Sequence, residues 1–131
     1  MNGQTDLQQL IKTMKPVLQP GDYVFCSVPD LSLVDQQKII GLFKEEEGIT
    51  IIVEKAFADQ LQLSTVFVAA WITLSVHSSL EAVGLTAAFA TALAREGISC
   101  NVVAAFYHDH IFVNKNDAEK AMGVLTKMSE L

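Results

Sequence analysis

Positive charge is scarce in this chain. Of 131 residues, 9 are Lys or Arg against 15 Asp or Glu, a formal net charge of −6 at pH 7. Such a balance argues against nucleic acid or an anionic membrane surface as the main partner. Cysteine is nearly missing too: Cys26 and Cys100 stand far apart, each within an apolar run, with no CxxC or zinc-finger spacing. The first twenty residues lack the basic stretch, apolar stretch and cleavage site of a secretory signal. A cytoplasmic location is therefore expected, with two buried thiols ahead of a disulfide. The longest nearly apolar run, residues 66–76, is about 11 residues, against the ~20 of a membrane-spanning helix. Glycines stand singly, with no GxGxxG, P-loop or G-x-S-x-G, which removes a dinucleotide fold and the serine-hydrolase elbow. What is plentiful is apolar residues, 50% of the chain, too many for disorder. The length suits one compact domain or two very small ones sharing a core.

Periodicity places the elements. Thr5-Asp6-Leu7-Gln8 has the form of a capping box, and Leu7, Leu10, Ile11 and Met14 follow at helical spacing until Pro16. Pro20-Gly21-Asp22 reads as a turn and residues 23–28 as a strand closed by Pro29. A helix is expected from about Asp35, with Ile39, Ile40 and Phe43 on one face and Gly48 just past its end. Residues 49–53 read as a strand and 56–61 as a short helix. The run 63–76 reads as a long strand, bent or divided near Ala69-Ala70. Ile72, Leu74 and Val76 there alternate with Trp71, Thr73, Ser75 and His77, which makes one face apolar. Leu85, Ala88, Phe89, Ala92 and Leu93 define a helix stopped by Gly97. A strand at 99–107, a turn at His108-Asp109, a strand at 110–113 and a last helix capped by Asn116, with Ala118, Ala121, Met122 and Leu125 inward, complete the series.

The two halves suggest a repeat. Ser27 and Ser75, each ending a strand, are 48 residues apart, and Gly48 and Gly97, each within Glu-Gly-Ile, are 49 apart. Strand, loop, helix, Glu-Gly-Ile, strand is thus expected twice. That order suits two ferredoxin-like α+β units of βαββαβ type, with antiparallel sheets and helices on one face. The expected modules are residues 1–68, with the leading helix, and 69–131.

Few groups suggest catalysis, and neither an enzyme nor a cofactor is expected. His108 and His110, with His77, would supply three nitrogens to a metal-binding or metal-dependent enzyme site. A turn at His108-Asp109 points the two rings apart, and no further acid or thiol completes the shell, so a polar hairpin tip is the favoured reading. Ser78-Ser79 beside His77 makes no Ser–His pair, because adjacent residues at a strand end point in different directions. Glu45-Glu46-Glu47 reads as an exposed helix end, and Trp71 as core or sheet surface.

The stretch Val83-Gly84-Leu85-Thr86, then Phe89, Leu93 and Gly97-Ile98-Ser99, then Val102-Val103 and the hairpin into Ile111-Phe112-Val113, resembles an ACT domain, the small amino-acid-sensing module of aspartate kinase and related enzymes. Residues 76–88 and 107–113, with residues 20–26 and 45–49, resemble more closely a family of short, free-standing bacterial tandem-ACT proteins. That family is related to the arginine-sensing ACT proteins of animal cells. The resemblance implies a ligand held between the first strand–helix loop of one module and a strand of its neighbour. The loop side is Ser78, Ser79, Glu81, Val83, Gly84, Leu85 and Thr86; the strand side is Ile98, Ser99, Asn101 and Val102.

Physical chemistry agrees with that placement. A helix N-terminus presents free N–H groups and partial positive charge, which suits an α-carboxylate. Gly84 permits close approach of backbone and ligand. Glu81 offers a carboxylate to an α-ammonium or a basic side chain, and Asn101 offers an amide. Each has a plainer alternative: Glu81 as a capping or solvated acid, Asn101 as a satisfied edge amide, Gly84 as a packing concession. The first half lacks a glycine matching Gly84 and has Pro29-Asp30 where the second has His77-Ser78, so it is expected to be structural. The expected function is non-catalytic binding of an amino acid by a homodimer or higher homo-oligomer. The alternative from another class is a ligand-free interaction module that uses exposed sheet edges.

Overall fold

The computed structural model describes residues 3–75 and 84–130. Its elements are α1 (Gly3–Thr13), β1 (Lys15–Leu18), β2 (Tyr23–Val28), β3 (Gly41–Lys44), β4 (Ile49–Glu54), α2 (Lys55–Gln60), β5 (Val68–Ser75), α3 (Leu85–Arg95), β6 (Cys100–Ala104), β7 (Asp109–Asn114) and α4 (Ala118–Glu130). Residues 21–69 form one compact unit; residues up to Pro20 and from Ala70 onward form the other. Both are α+β, as expected. No helix among the described residues is long and apolar enough to cross a membrane.

In the inserted unit the strand order is β3-β4-β2, with both pairs antiparallel. Val24, Cys26 and Val28 alternate inward from β2 and meet Ile51 and Val53 of β4 and Ala58 of α2. The helix expected from Asp35 is absent. Asp35 instead caps a single 3-10 turn, Gln36–Lys38, by accepting a hydrogen bond from the Gln37 N–H. Ile39 is extended, the Ile40 N–H donates to Ile52 O at 2.8 Å, and β3 follows. Two β-branched residues ahead of Gly41 make a poor helix, and β4 offers them ladder bonds. Gly48 is therefore no helix stop. It closes the β3–β4 hairpin, where Glu45 N–H donates to Gly48 O, and a Cβ there would lie 2.8 Å from Ser27 Oγ and 3.2 Å from Val28 O. Glu45-Glu46-Glu47 is consequently an exposed hairpin tip rather than a helix end.

The second unit orders its strands β5-β7-β6, with β1 also paired to β5. Ala70, Ile72 and Leu74 of β5 and Ile111 and Val113 of β7 face Leu85, Phe89 and Leu93 of α3 and Ala118, Ala121 and Leu125 of α4 within one core. The leading helix joins this core through Leu7, Leu10 and Ile11. Thr5 lies inside α1 rather than capping it. Pro16 does not merely end a helix: it sits in β1 opposite Leu74, in a short strand where a missing N–H is tolerated. The last helix is reached through a 3-10 turn, Lys115–Asp117, capped by Asn114, whose side chain accepts from Asn116 N–H; the cap expected at Asn116 is thus two residues earlier.

The repeat is real: Ser27 and Ser75, 48 apart, both lie at the end of a strand, but from the hairpins onward the spacing is 60, not 49. Glu47-Gly48-Ile49 crosses a hairpin, whereas Glu96-Gly97-Ile98 leaves α3, so the two are not equivalent. Register reveals the true correspondence. Gly41 opposes Ile52 as Asn101 opposes Phe112, and Lys44 opposes Ile49 as Ala104 opposes Asp109. Buried Ile51, Val53 and Ala58 then match buried Ile111, Val113 and Ala118. What distinguishes the units is α3: the inserted unit has only the Gln36–Lys38 turn before its hairpin.

Candidate ligand-binding site

Gly84 caps α3 with φ 93° and ψ −13°, a left-handed conformation that glycine adopts without the steric cost of a Cβ. A Cβ at this position would also come within 3.1 Å of Leu7 Cδ2. Its carbonyl accepts the first helical bond from Ala88 N–H at 2.9 Å. Gly84 itself offers no side-chain cap, and no acidic residue stands in the first turn of the helix. The early N–H groups of the helix therefore have neither an intrahelical partner nor a side-chain acceptor from the capping residue.

The remaining expected site residues fall into three groups. Ser78, Ser79, Glu81 and Val83 lie outside the described residues. Leu85 and Ile98 are buried in the core and have only backbone to offer, and Val102 packs half-buried against the same core. Thr86, Ser99 and Asn101 are exposed. Gly84 and Ile98 stand at opposite ends of α3, whose 11 residues span roughly 16 Å. Asn101 and Val102 lie on β6, which pairs with β7 and ends the strand order of its unit. One unit thus does not bring Gly84–Thr86 and Ile98-Ser99 against one small molecule.

The equivalent loop of the inserted unit is closed on itself. Asp30 accepts hydrogen bonds from the Ser32 N–H and hydroxyl, which hold its carboxyl below the usual carboxylate range. Val34 is buried and Asp35 caps the short turn, so no helix N-terminus is presented there.

A polar network escaped the sequence reading. Trp71 Nε1–H donates to His110 Nδ1 at 3.0 Å, Thr73 Oγ1 is 3.2 Å from the same nitrogen, and Gln19 Nε2–H donates to Thr73 Oγ1 at 3.0 Å. Phe112 stacks on Trp71 with centroids 6.1 Å apart. The period-two pattern places Trp71 with Thr73 and His110 with Phe112, but only the β5–β7 pairing joins them. Burial lowers the His110 pKa, nearby His108 adds to this, and Asp109 opposes it. Burial raises Asp109, with both histidines opposing. The β6–β7 turn spans residues 105–108, closed by Ala105 N–H to His108 O, rather than centring on His108-Asp109. Among the described residues no three His, Cys, Asp or Glu could hold a metal ion; His77 lies outside them. Cys26 and Cys100 are free thiols, raised in pKa by burial.

Residues 2–70 match one ACT-domain family model and residues 66–127 another. Among solved structures, a protein of unknown function from Vibrio cholerae, described as a possible transport protein, is 47% identical, with a TM-score of 0.87 over 98% of this chain and 99% of that one. A protein from Agrobacterium tumefaciens is 19% identical, with a TM-score of 0.66 over 88% and 89% of the two chains. The ligand-free regulatory subunit of aspartate kinase from Thermus thermophilus is 12% identical, with a TM-score of 0.59 over 86% and 95%. The last two likenesses are of fold alone. No curated protein matches the chain.

Proposed function

Since the chain belongs to the ACT domain family, with two modules in tandem, we propose that it is a non-catalytic regulatory protein that binds an amino acid at the N-terminus of α3. The observation that carries this reading is the left-handed Gly84, which opens α3 without a side-chain cap of its own and with no acid in the first turn. The α-carboxylate accepts from the first free N–H groups, and Glu81 and Ser78-Ser79 complete the loop side. Asn101 and the exposed β6 edge come from a second copy, because Ile98-Ser99 stands at the far end of α3 from Gly84. The working unit is then a cytoplasmic homodimer or higher homo-oligomer. We place the module boundary at residues 68–69, within the overlap of the two family matches.

Calorimetric titration of ligand-stripped protein with each of the twenty amino acids tests this. A saturable heat with one of them is expected, weakened roughly tenfold or more by Asn101→Ala at unchanged melting temperature, since Asn101 is exposed. No heat from any of the twenty would overturn the reading. One observation favours a ligand-free interaction module instead: Phe106 and Tyr107 are 80% and 77% exposed beside β6. Under that alternative the protein self-associates, and Asn101→Ala changes nothing that ligands report.

A further inference from the structure

The space that a side chain would fill at Gly84 is already taken. A Cβ there would meet Leu7 of α1, with Cδ2 at 3.1 Å and Cδ1 at 3.9 Å. Its chain neighbours aside, Leu7 is the only described residue within 4 Å of that position. The Gly84 Cα and Leu7 Cδ2 are therefore less than about 5 Å apart, whereas an oxygen lodged between two carbons needs roughly 7 Å. A carboxylate cannot reach the Gly84 backbone from that side while Leu7 stays in place.

The helix that carries Leu7 is lightly seated. None of the described side chains of α1 is fully buried; Leu7, Leu10 and Ile11 pack half-buried against the core. An open groove of about 410 Å³, lined by Gln8, Ile11, Lys12 and Met128, separates part of α1 from α4, so dispersion contacts are lost along it. Beyond the helix the seating changes. Met14 is 2% exposed, and β1 after it is laddered to β5. A weakly held helix thus meets a fixed strand at Met14, which makes that residue the hinge. We propose that α1 is an autoinhibitory strap: Leu7 occupies the approach to Gly84, and release of α1 about Met14 opens it to an α-carboxylate. The inference rests on the Gly84 reading given above. The observed affinity is then that of the open form, reduced by the fraction of molecules in which α1 is released.

Amide hydrogen exchange of the full chain, with and without amino acid, tests the strap alongside calorimetry. Without amino acid, the amides of Ile11, Lys12 and Thr13 are expected to exchange by local opening, at least tenfold faster than those of Leu93 and Leu125. In titrations with each of the twenty amino acids, Leu7→Ala should bind the responding one roughly three- to tenfold tighter than the unaltered chain does. Leu10→Ala, which loosens the same helix, acts in the same direction. Saturation should speed exchange in α1, the reverse of the slowing that a ligand gives to structure it stabilises. Three results would each overturn the strap and leave the Gly84 site standing: α1 exchanging no faster than Leu93, α1 slowed on saturation, or affinity not raised by either substitution. No heat with any amino acid, from the unaltered chain or from either variant, would overturn the Gly84 site and the strap together.

Discussion

The indole N–H of Trp71 is a donor and nothing else, so its bond to His110 Nδ1 requires a lone pair on that nitrogen. His110 is therefore the neutral Nε2–H tautomer, and Thr73 donates its hydroxyl to the same acceptor while receiving Gln19. A second proton would set an N–H against the indole N–H. The folded pKa lies below the usual 6.5, so the unfolded chain binds the proton first as pH falls. This group's contribution is complete above pH 6.5 and lost as pH drops through the folded value. Asp109 works in the opposite sense: its raised pKa favours the folded chain as pH falls toward the usual 3.8. His110→Asn keeps an acceptor and removes the titration. Its melting temperature is expected to fall less than that of the unaltered protein between pH 7 and pH 5; equal falls would refute the lowered His110 pKa. Gly84→Ala is expected to cost about 1–2 kcal/mol in urea unfolding, from a Cβ forced into the left-handed region and against Leu7.

At the scale of elements, local patterning identified most of the fold and failed where pairing decides. β2 was legible because Val24, Cys26 and Val28 alternate strictly with Phe25 and Ser27. α3 was legible because Leu85, Phe89 and Leu93 repeat every four residues. Ile39, Ile40 and Phe43 fit a helical face equally well, but β4 has a free edge that only the folded sheet supplies, and the ladder bonds prevail. The same limit hid β1, whose Pro16 reads locally as a helix end. Of the site, the helix N-terminus at Gly84 was legible as a glycine before an amphipathic run, while the Trp71–His110 link spans 39 residues and has no local signal. Gly48→Ala tests the hairpin assignment. A Cβ wedged on Ser27 Oγ and Val28 O is expected to destabilise by about 1–3 kcal/mol. The double variant with Ser27→Ala should recover part of that loss, because the nearest clash is with the hydroxyl. A glycine that merely ended a solvent-exposed helix would show no such coupling.

For the molecule as a whole, the 60-residue correspondence explains why a chain of 131 residues is half apolar. Each unit must cover a small sheet, and each does so with the residues at matching positions: Ile51, Val53 and Ala58 in one, Ile111, Val113 and Ala118 in the other. The units have diverged where ligand chemistry is expected. One keeps α3; the other has only a short 3-10 turn before its hairpin. The hairpin tips diverge as well, Glu45-Glu46-Glu47 against Ala105-Phe106-Tyr107, an acidic tip against an aromatic one.

The proposed ligand site is shared between two copies, with Gly84 from one and Asn101 from the other. Its most direct test is calorimetry on Gly84→Ala and Asn101→Ala, each alone and then mixed after refolding together. Each variant alone should bind the identified amino acid poorly. In the mixture, half the dimers pair one variant with the other and leave one of their two sites unaltered, so about a quarter of the full binding capacity should return at full affinity. No recovery on mixing, or full binding by either variant alone, would contradict a site built from two copies.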